Sequence, residues 1–281
     1  MGAIRATLPR QPACSGTFPS MRRYGRVYRT FFVTSLTREM EFRANFFAKV
    51  LQNCTWVFFF VMVLLVVYRN TDSVAGWLRG HAFVLGATVF LLTSLVGGLF
   101  FSLMEIPQHV RMGTLDFVLT KPIDSQFWVS LRRFNFDRVG ALLSGVALLA
   151  VGLAISGLQP SLLQLAGYFG LVFASLAIFY SVTLMMMTLG IWFVRVDNLW
   201  VLTETVLDVA RFPTDIFPRL LQRIFVFGVP LAFLATMPSR QLIHGFDGAM
   251  LGLGLFWGIV LLACSRWFWR FATRHYTSAS S

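Results

Sequence analysis

Residues 46–68, FFAKVLQNCTWVFFFVMVLLVVY, run for 23 positions with a single charge, Lys49. About 20 apolar residues of helix are enough to cross roughly 30 Å of hydrocarbon. Comparable runs recur at 82–104, 138–157, 164–193 and 249–268. These runs are continuous rather than alternating, so they predict spanning helices and not the strands of a membrane barrel. Composition agrees: 57% of residues are hydrophobic and only 13% charged, whereas soluble domains carry about 25% charge. The reading is an all-α integral membrane protein, and a soluble globular enzyme is excluded.

The basic residues set the topology. Lys and Arg number nine in 1–49, five in 105–138, one at Arg195 and three in 266–281, against five at Arg69, Arg79, Arg219, Arg223 and Arg240. Cytoplasmic loops carry the excess of basic residues, which predicts cytoplasmic termini and six transmembrane helices. The net charge of +12 is thereby assigned to the membrane face and not to nucleic acid.

Before the first span, residues 1–20 carry three prolines and no apolar core, and are expected to be a disordered lead. Residues 21–45 have helical periodicity. Tyr24, Val27, Tyr28, Phe31, Phe32 and Leu36 fall on one face, with Arg22, Arg26, Arg29 and Arg38 mostly opposite. This predicts an amphipathic interfacial helix on the membrane lipid surface, with Arg22, Arg26, Arg29, Phe31 and Phe32 as its working residues. The spanning domain is placed at 46–275 and a short tail at 276–281.

The fifth crossing has two candidates. Hydropathy favours 221–237, but Pro230 interrupts it. The alternative is a short span at 197–212 followed by a proline-broken re-entrant helical segment at 213–243, before the last span, turning at Pro213, Pro218 and Pro230. Non-helical backbone at membrane depth is tolerated where protein or a wet cavity covers it. On the second arrangement Glu204, Asp208 and Arg211 share a helix face within the membrane, where each charge costs about 2.5–3.5 kcal/mol. They are candidates for a substrate path or gate, or for a structural salt bridge.

Catalytic signatures are absent from the sequence. There is no GxxxxGK[ST], HExxH or GxSxG, and Cys14, Cys54, Cys264 and the four histidines have no metal-ligand spacing. Cys54 and Cys264 are expected to be buried thiols. The expectation is a non-enzyme without metal or cofactor. The loop at 105–134, EIPQHVRMGTLDFVLTKPIDSQFWVSLRRF, is the informative segment. Thr114 is positioned to cap a short helix bearing Leu115, Val118 and Leu119, which Pro122 would end. A short stiff helix on a cytoplasmic loop suits transfer of force from a soluble motor.

The pattern Arg111-x-Gly113-Thr114-Leu115-Asp116-Phe117-x-Leu119-x-x-Pro122 resembles the RExGTLExLLxxP loop of type 2 ABC export permeases, with Met112 where that pattern has Glu. The stretch Phe212-Pro213-Thr214-Asp215-Ile216-Phe217-Pro218 is similar to the outer loop of the same family, in particular of six-span permeases grouped with viologen exporters. The resemblance implies a permease that dimerises, with a second copy or a non-identical permease, in the inner (plasma) membrane. It also implies a separate ABC ATPase subunit that binds ATP and Mg and docks on the 105–134 loop. Arg111, Gly113, Thr114, Leu115, Asp116 and Phe117 become the candidate ATPase interface. Arg111 and Asp116 would make polar contacts, while Leu115 and Phe117 fill a groove. The substrate expected is amphiphilic, hydrophobic or cationic. A secondary transporter or a non-transporting assembly protein are the other classes open to such a chain.

Overall fold

A computed structural model describes residues 21–41, 43–193, 201, 205, 208–209, 212–228 and 230–276. The described residues are mostly helical. Helix α1 (Met21–Glu41) is followed closely by α2 (Arg43–Arg69), so the amphipathic helix ends four residues earlier than the periodicity predicts. A two-stranded hairpin, β1 (Ser73–Val74) and β2 (Trp77–Leu78), turns through Ala75 and Gly76, both with positive φ. Such two-residue turns match the twist of the flanking strands.

Helix α3 (Arg79–Leu99) is the inner helix of the bundle and packs chiefly on α7 (Val139–Ser156). Their crossing is close because α7 presents glycine. A Cβ on Gly152 would stand 2.9 Å from the Val84 backbone nitrogen, and one on Gly145 would stand 3.1 Å from that of Leu91. Helix α7 stops at Gly157, whose φ of +63° suits a residue without a Cβ. A capping box of Ser161 and Gln164 then starts α8 (Leu162–Thr188).

Five described helices are long and apolar enough to cross a membrane: Phe46–Arg69, Arg79–Leu99, Phe136–Ser156, Leu162–Ile191 and Gly248–Arg274. Three predicted ends move. The chain leaves the second span at Leu99 and not at 104, because 101–105 tightens into a 3-10 turn leading into the loop. Helix α8 likewise gives way to a 3-10 turn at Leu189–Ile191. The last span runs on to Arg274, past the predicted 268.

The 197–212 candidate falls largely outside the described residues. The other candidate, 221–237, is not one helix. Helix α9 (Arg219–Arg223) passes into a π turn at Ile224–Gly228, and Pro230 begins a separate 3-10 turn at Leu231–Phe233 before α10 (Thr236–Ile243). Proline lacks the N–H that a continuous helix needs there. Pro213 and Pro218 act alike, each standing directly before a new helical turn. The Thr214 backbone N–H donates to the Thr236 hydroxyl at 3.2 Å, and Arg240 pairs with Asp215, so the two ends of this segment meet. Trp77 of the hairpin also donates to Asp215, at 2.9 Å.

The core forms where this segment enters the bundle. Ala232, Phe233 and Leu234 are buried against Leu92 and Val96 of α3 and Leu171 and Phe179 of α8. Ser175 donates to the Phe233 carbonyl, and Ser239 to Thr88 at 3.1 Å, so these buried hydroxyls are hydrogen-bonded. The last helix, α11 (Gly248–Arg274), packs along α8. A Cβ on Gly254 would meet Leu171 and Phe233, so this glycine serves a contact within the chain. Cys54 and Cys264 are exposed, contrary to expectation, because α2 and α11 flank the bundle and turn those faces outward. Among the described residues no group of three or more His, Cys, Asp or Glu could hold a metal ion.

Candidate functional site

The 105–134 loop folds as three short helices: α4 (Ile106–Arg111), α5 (Leu115–Leu119) and α6 (Ser125–Leu131). Pro107 pre-sets the first turn of α4, and Gly113, with φ of +66°, makes the bend into α5. Thr114 stands at the start of α5 but does not cap it. Its hydroxyl lies 2.7 Å from His109 Nδ1, drawn back to the preceding helix. Helix α6 does have a cap, since the Asp124 carboxylate accepts from the Phe127 N–H at 3.0 Å.

The loop is fixed from three sides. Apolar packing joins Leu103, Ile106, Leu115 and Val118 to Leu184 and Met187 of α8, and to Trp269 of α11 with Tyr276 just beyond it. Polar contacts bind α6 to the same two helices. Arg266 makes a bidentate pair with Asp124 and also donates to Gln126 at 2.8 Å. Gln126 donates to the Tyr180 hydroxyl at 3.0 Å, Ser130 lies 2.9 Å from it, and Trp269 donates to Ser125 at 3.1 Å. Helix α1 lies across the outside of the loop. Tyr24 packs edge-on to Phe127 at 4.9 Å, and Tyr28 and Phe32 pack on Phe134 at 5.2 and 5.5 Å.

Glu105 closes the loop at its base by pairing with both Arg132 and Arg133. Burial alone would push this carboxyl up, but the two guanidinium groups outweigh it and hold it below the ordinary value. Asp124 behaves likewise: burial raises it, while hydrogen bonds from Arg266 and the Phe127 N–H prevail and lower it. Burial, followed by Arg132, also keeps His109 below the ordinary imidazole value. The loop base is therefore charged and the imidazole neutral at pH 7.

The six candidate interface residues divide. Leu115 is 0% exposed and belongs to the permease's own core, so it anchors α5 instead of offering itself to a partner groove. Phe117, two positions on, is 71% exposed. Arg111 is also exposed, and Gly113, Thr114 and Asp116 are half-buried. The Tyr276 phenol is raised by burial and next by the Asp116 carboxylate, which places Asp116 beside the end of the last span. On α1, Arg22, Arg26 and Arg29 are exposed, Phe31 is half-buried, and Phe32 is the aromatic that meets the loop. Sequence reasoning put Tyr24 on the apolar face of α1 without its loop partner, and missed Asp124, Tyr180, Arg266 and Trp269. Tyr24–Asp124 and Asp124–Arg266 are separated by 100 and 142 positions, and nothing in local periodicity links them.

Asp208 lines a cavity of about 540 Å³ between α2, α3 and α7, together with Asn53, Trp56, Phe60, Phe90 and Arg138. Glu204 and Arg211 lie outside the described residues, as does any Asp208–Arg211 pair.

The family model for ABC-2 family transporter proteins matches residues 54–280, from the first span to the tail and across the whole of this loop. The chain belongs to that family. It is a multi-pass membrane permease of an ABC transporter, and membership implies an ABC ATPase as its partner. A comparison with curated proteins gives no match.

Proposed function

We propose that this permease carries an amphiphilic, hydrophobic or cationic substrate out of the cytoplasm, driven by a separate ATPase that docks on the exposed edge of α4 and α5. The supporting observation is Phe117, a large apolar side chain left 71% exposed on an otherwise anchored loop. Exposed aromatics of this kind are typical anchors for a partner pocket. Arg111, exposed at the end of α4, supplies a polar contact. In this reading Leu115 transmits the load and does not receive it.

ATP and Mg would be bound by the ATPase, and the chemistry of hydrolysis belongs there. Movement of the ATPase pushes α5, and α6 conveys the displacement through Asp124 and Arg266 to the end of the last span. The 213–243 segment acts as a re-entrant structure opening from the outer face, with 197–212 as the fifth of six crossings. Both termini are cytoplasmic in the inner membrane, and the permease works as a dimer with itself or with a non-identical permease. Asp208, on its aromatic-lined cavity, belongs to the substrate path.

The test is co-purification of the tagged permease with its ATPase in mild detergent. Phe117→Asp is expected to abolish retention of the ATPase and ATP-driven export while leaving membrane insertion unchanged. Normal retention and export by that variant would remove the loop edge from the mechanism.

A further inference from the structure

A second cleft, of about 570 Å³, lies between α1, the start of α2 and the backbone at 132–137. Arg38, Lys49, Arg132 and Arg133 line it, with Glu39 and Asp137. Its height in the membrane follows from the chain. Helix α1 ends at Glu41 and the apolar part of α2 starts at Phe46, so the cleft opens at the boundary between polar and apolar surroundings.

The charges here do not cancel. Lys49 is paired with Asp137, and Arg132 and Arg133 share the one carboxylate of Glu105. Four cations therefore face three carboxyl groups. One carboxyl is weakened further. Asp137 Oδ1 is buried without a hydrogen-bond donor, and Glu39 is raised by its contact with Asp137 and next by burial, with Lys49 and Arg38 opposing.

We propose that this cleft binds the phosphate headgroup of an anionic phospholipid from the adjacent leaflet. Guanidinium forks match phosphate oxygens in geometry, and a basic recess beside a spanning helix is the arrangement that retains such headgroups. The acyl chains would enter the bilayer beside the start of α2, where the apolar part of that helix begins at Phe46. The bound lipid ties α1 and α2 to the loop from the side that protein contacts leave open.

The experiment uses the full chain in nanodiscs of phosphatidylcholine doped with phosphatidylglycerol, followed by native mass spectrometry of retained lipid. Phosphatidylglycerol should be retained in preference to phosphatidylcholine. Arg38→Gln should lower that retention about five-fold, the loss of one phosphate-facing charge, and Arg38→Lys should largely restore it. Arg23→Gln, on the same helix but away from the cleft, should leave it unchanged. Equal losses from Arg38→Gln and Arg23→Gln would assign the lipid to the general surface field and overturn the proposal. So would equal retention of the two lipids, or full displacement by excess inorganic phosphate, which would make the cleft a site for free anions. Arg38 is exposed, so the variant's elution profile serves to confirm that it folds.

Discussion

Leu115 and Phe117 are two positions apart in one five-residue helix, and their environments are opposite. Burial decides what each can do. Leu115→Ala removes a fully buried side chain and should cost about 2–5 kcal/mol of stability, seen as a lower thermal midpoint in detergent. Phe117→Ala removes a side chain that touches mainly solvent. It should leave that midpoint unchanged and still lower substrate-stimulated ATPase activity in the assembled transporter. A common drop in midpoint for both would show that Phe117 is also structural. Residue-scale electrostatics give a second expectation. Glu105 and Asp124 are held below their ordinary values in the folded chain, so their contribution to stability is complete above about pH 4, the unfolded carboxylate value, and is lost as pH falls through the depressed folded values. Thermal melts between pH 7 and pH 3 should show this loss on the acid side, and Arg266→Met should flatten the dependence by removing the main partner of Asp124.

At the scale of elements, the helices legible in the sequence are those whose signal is local. Long apolar runs give α2, α3, α7, α8 and α11 within a few residues, because a helix surrounded by hydrocarbon satisfies its backbone internally and needs no knowledge of its neighbours. The prolines at 213, 218 and 230 mark real breaks for the same reason. The pairing of elements was not legible. That α1 meets α6 through Tyr24, or that α6 is held by Arg266, depends on contacts 100 and 142 positions apart. The family loop pattern located the candidate site but grouped inward and outward residues together, since a motif records identity and not orientation. The α3–α7 crossing shows how an element contact can be tested. Gly152→Val places new atoms within 3 Å of the Val84 backbone, which cannot retreat as a flexible side chain could. Overpacking of this kind costs about 1–3 kcal/mol. The variant should insert normally and unfold at a lower temperature, whereas Gly252→Val on α11, with open space around it, should be neutral.

The whole molecule has an unequal distribution of burial that constrains how it assembles. The apolar window of α2 is 0% buried within the chain and that of α11 is 17%, against 67% for α3 and 56% for α8. In the membrane, lipid can cover such faces at little cost, so exposure alone does not identify a protein partner. The position of α2 adds to the argument. It borders the cavity lined by Asp208 and Arg138, and charged groups at membrane depth are costly unless protein or a wet path covers them. In the proposed dimer, a second permease seated on α2 would border this cavity, and one seated on α11 would not. Cys54 on α2 and Cys264 on α11 are both exposed and provide native reporters. In membranes treated with a short, membrane-permeant bis-maleimide, a chain retaining only Cys54 should run as a cross-linked pair, and a chain retaining only Cys264 should remain single. The opposite pattern would move the seam to α11 and leave the Asp208 cavity facing lipid, which would remove it from the transport path.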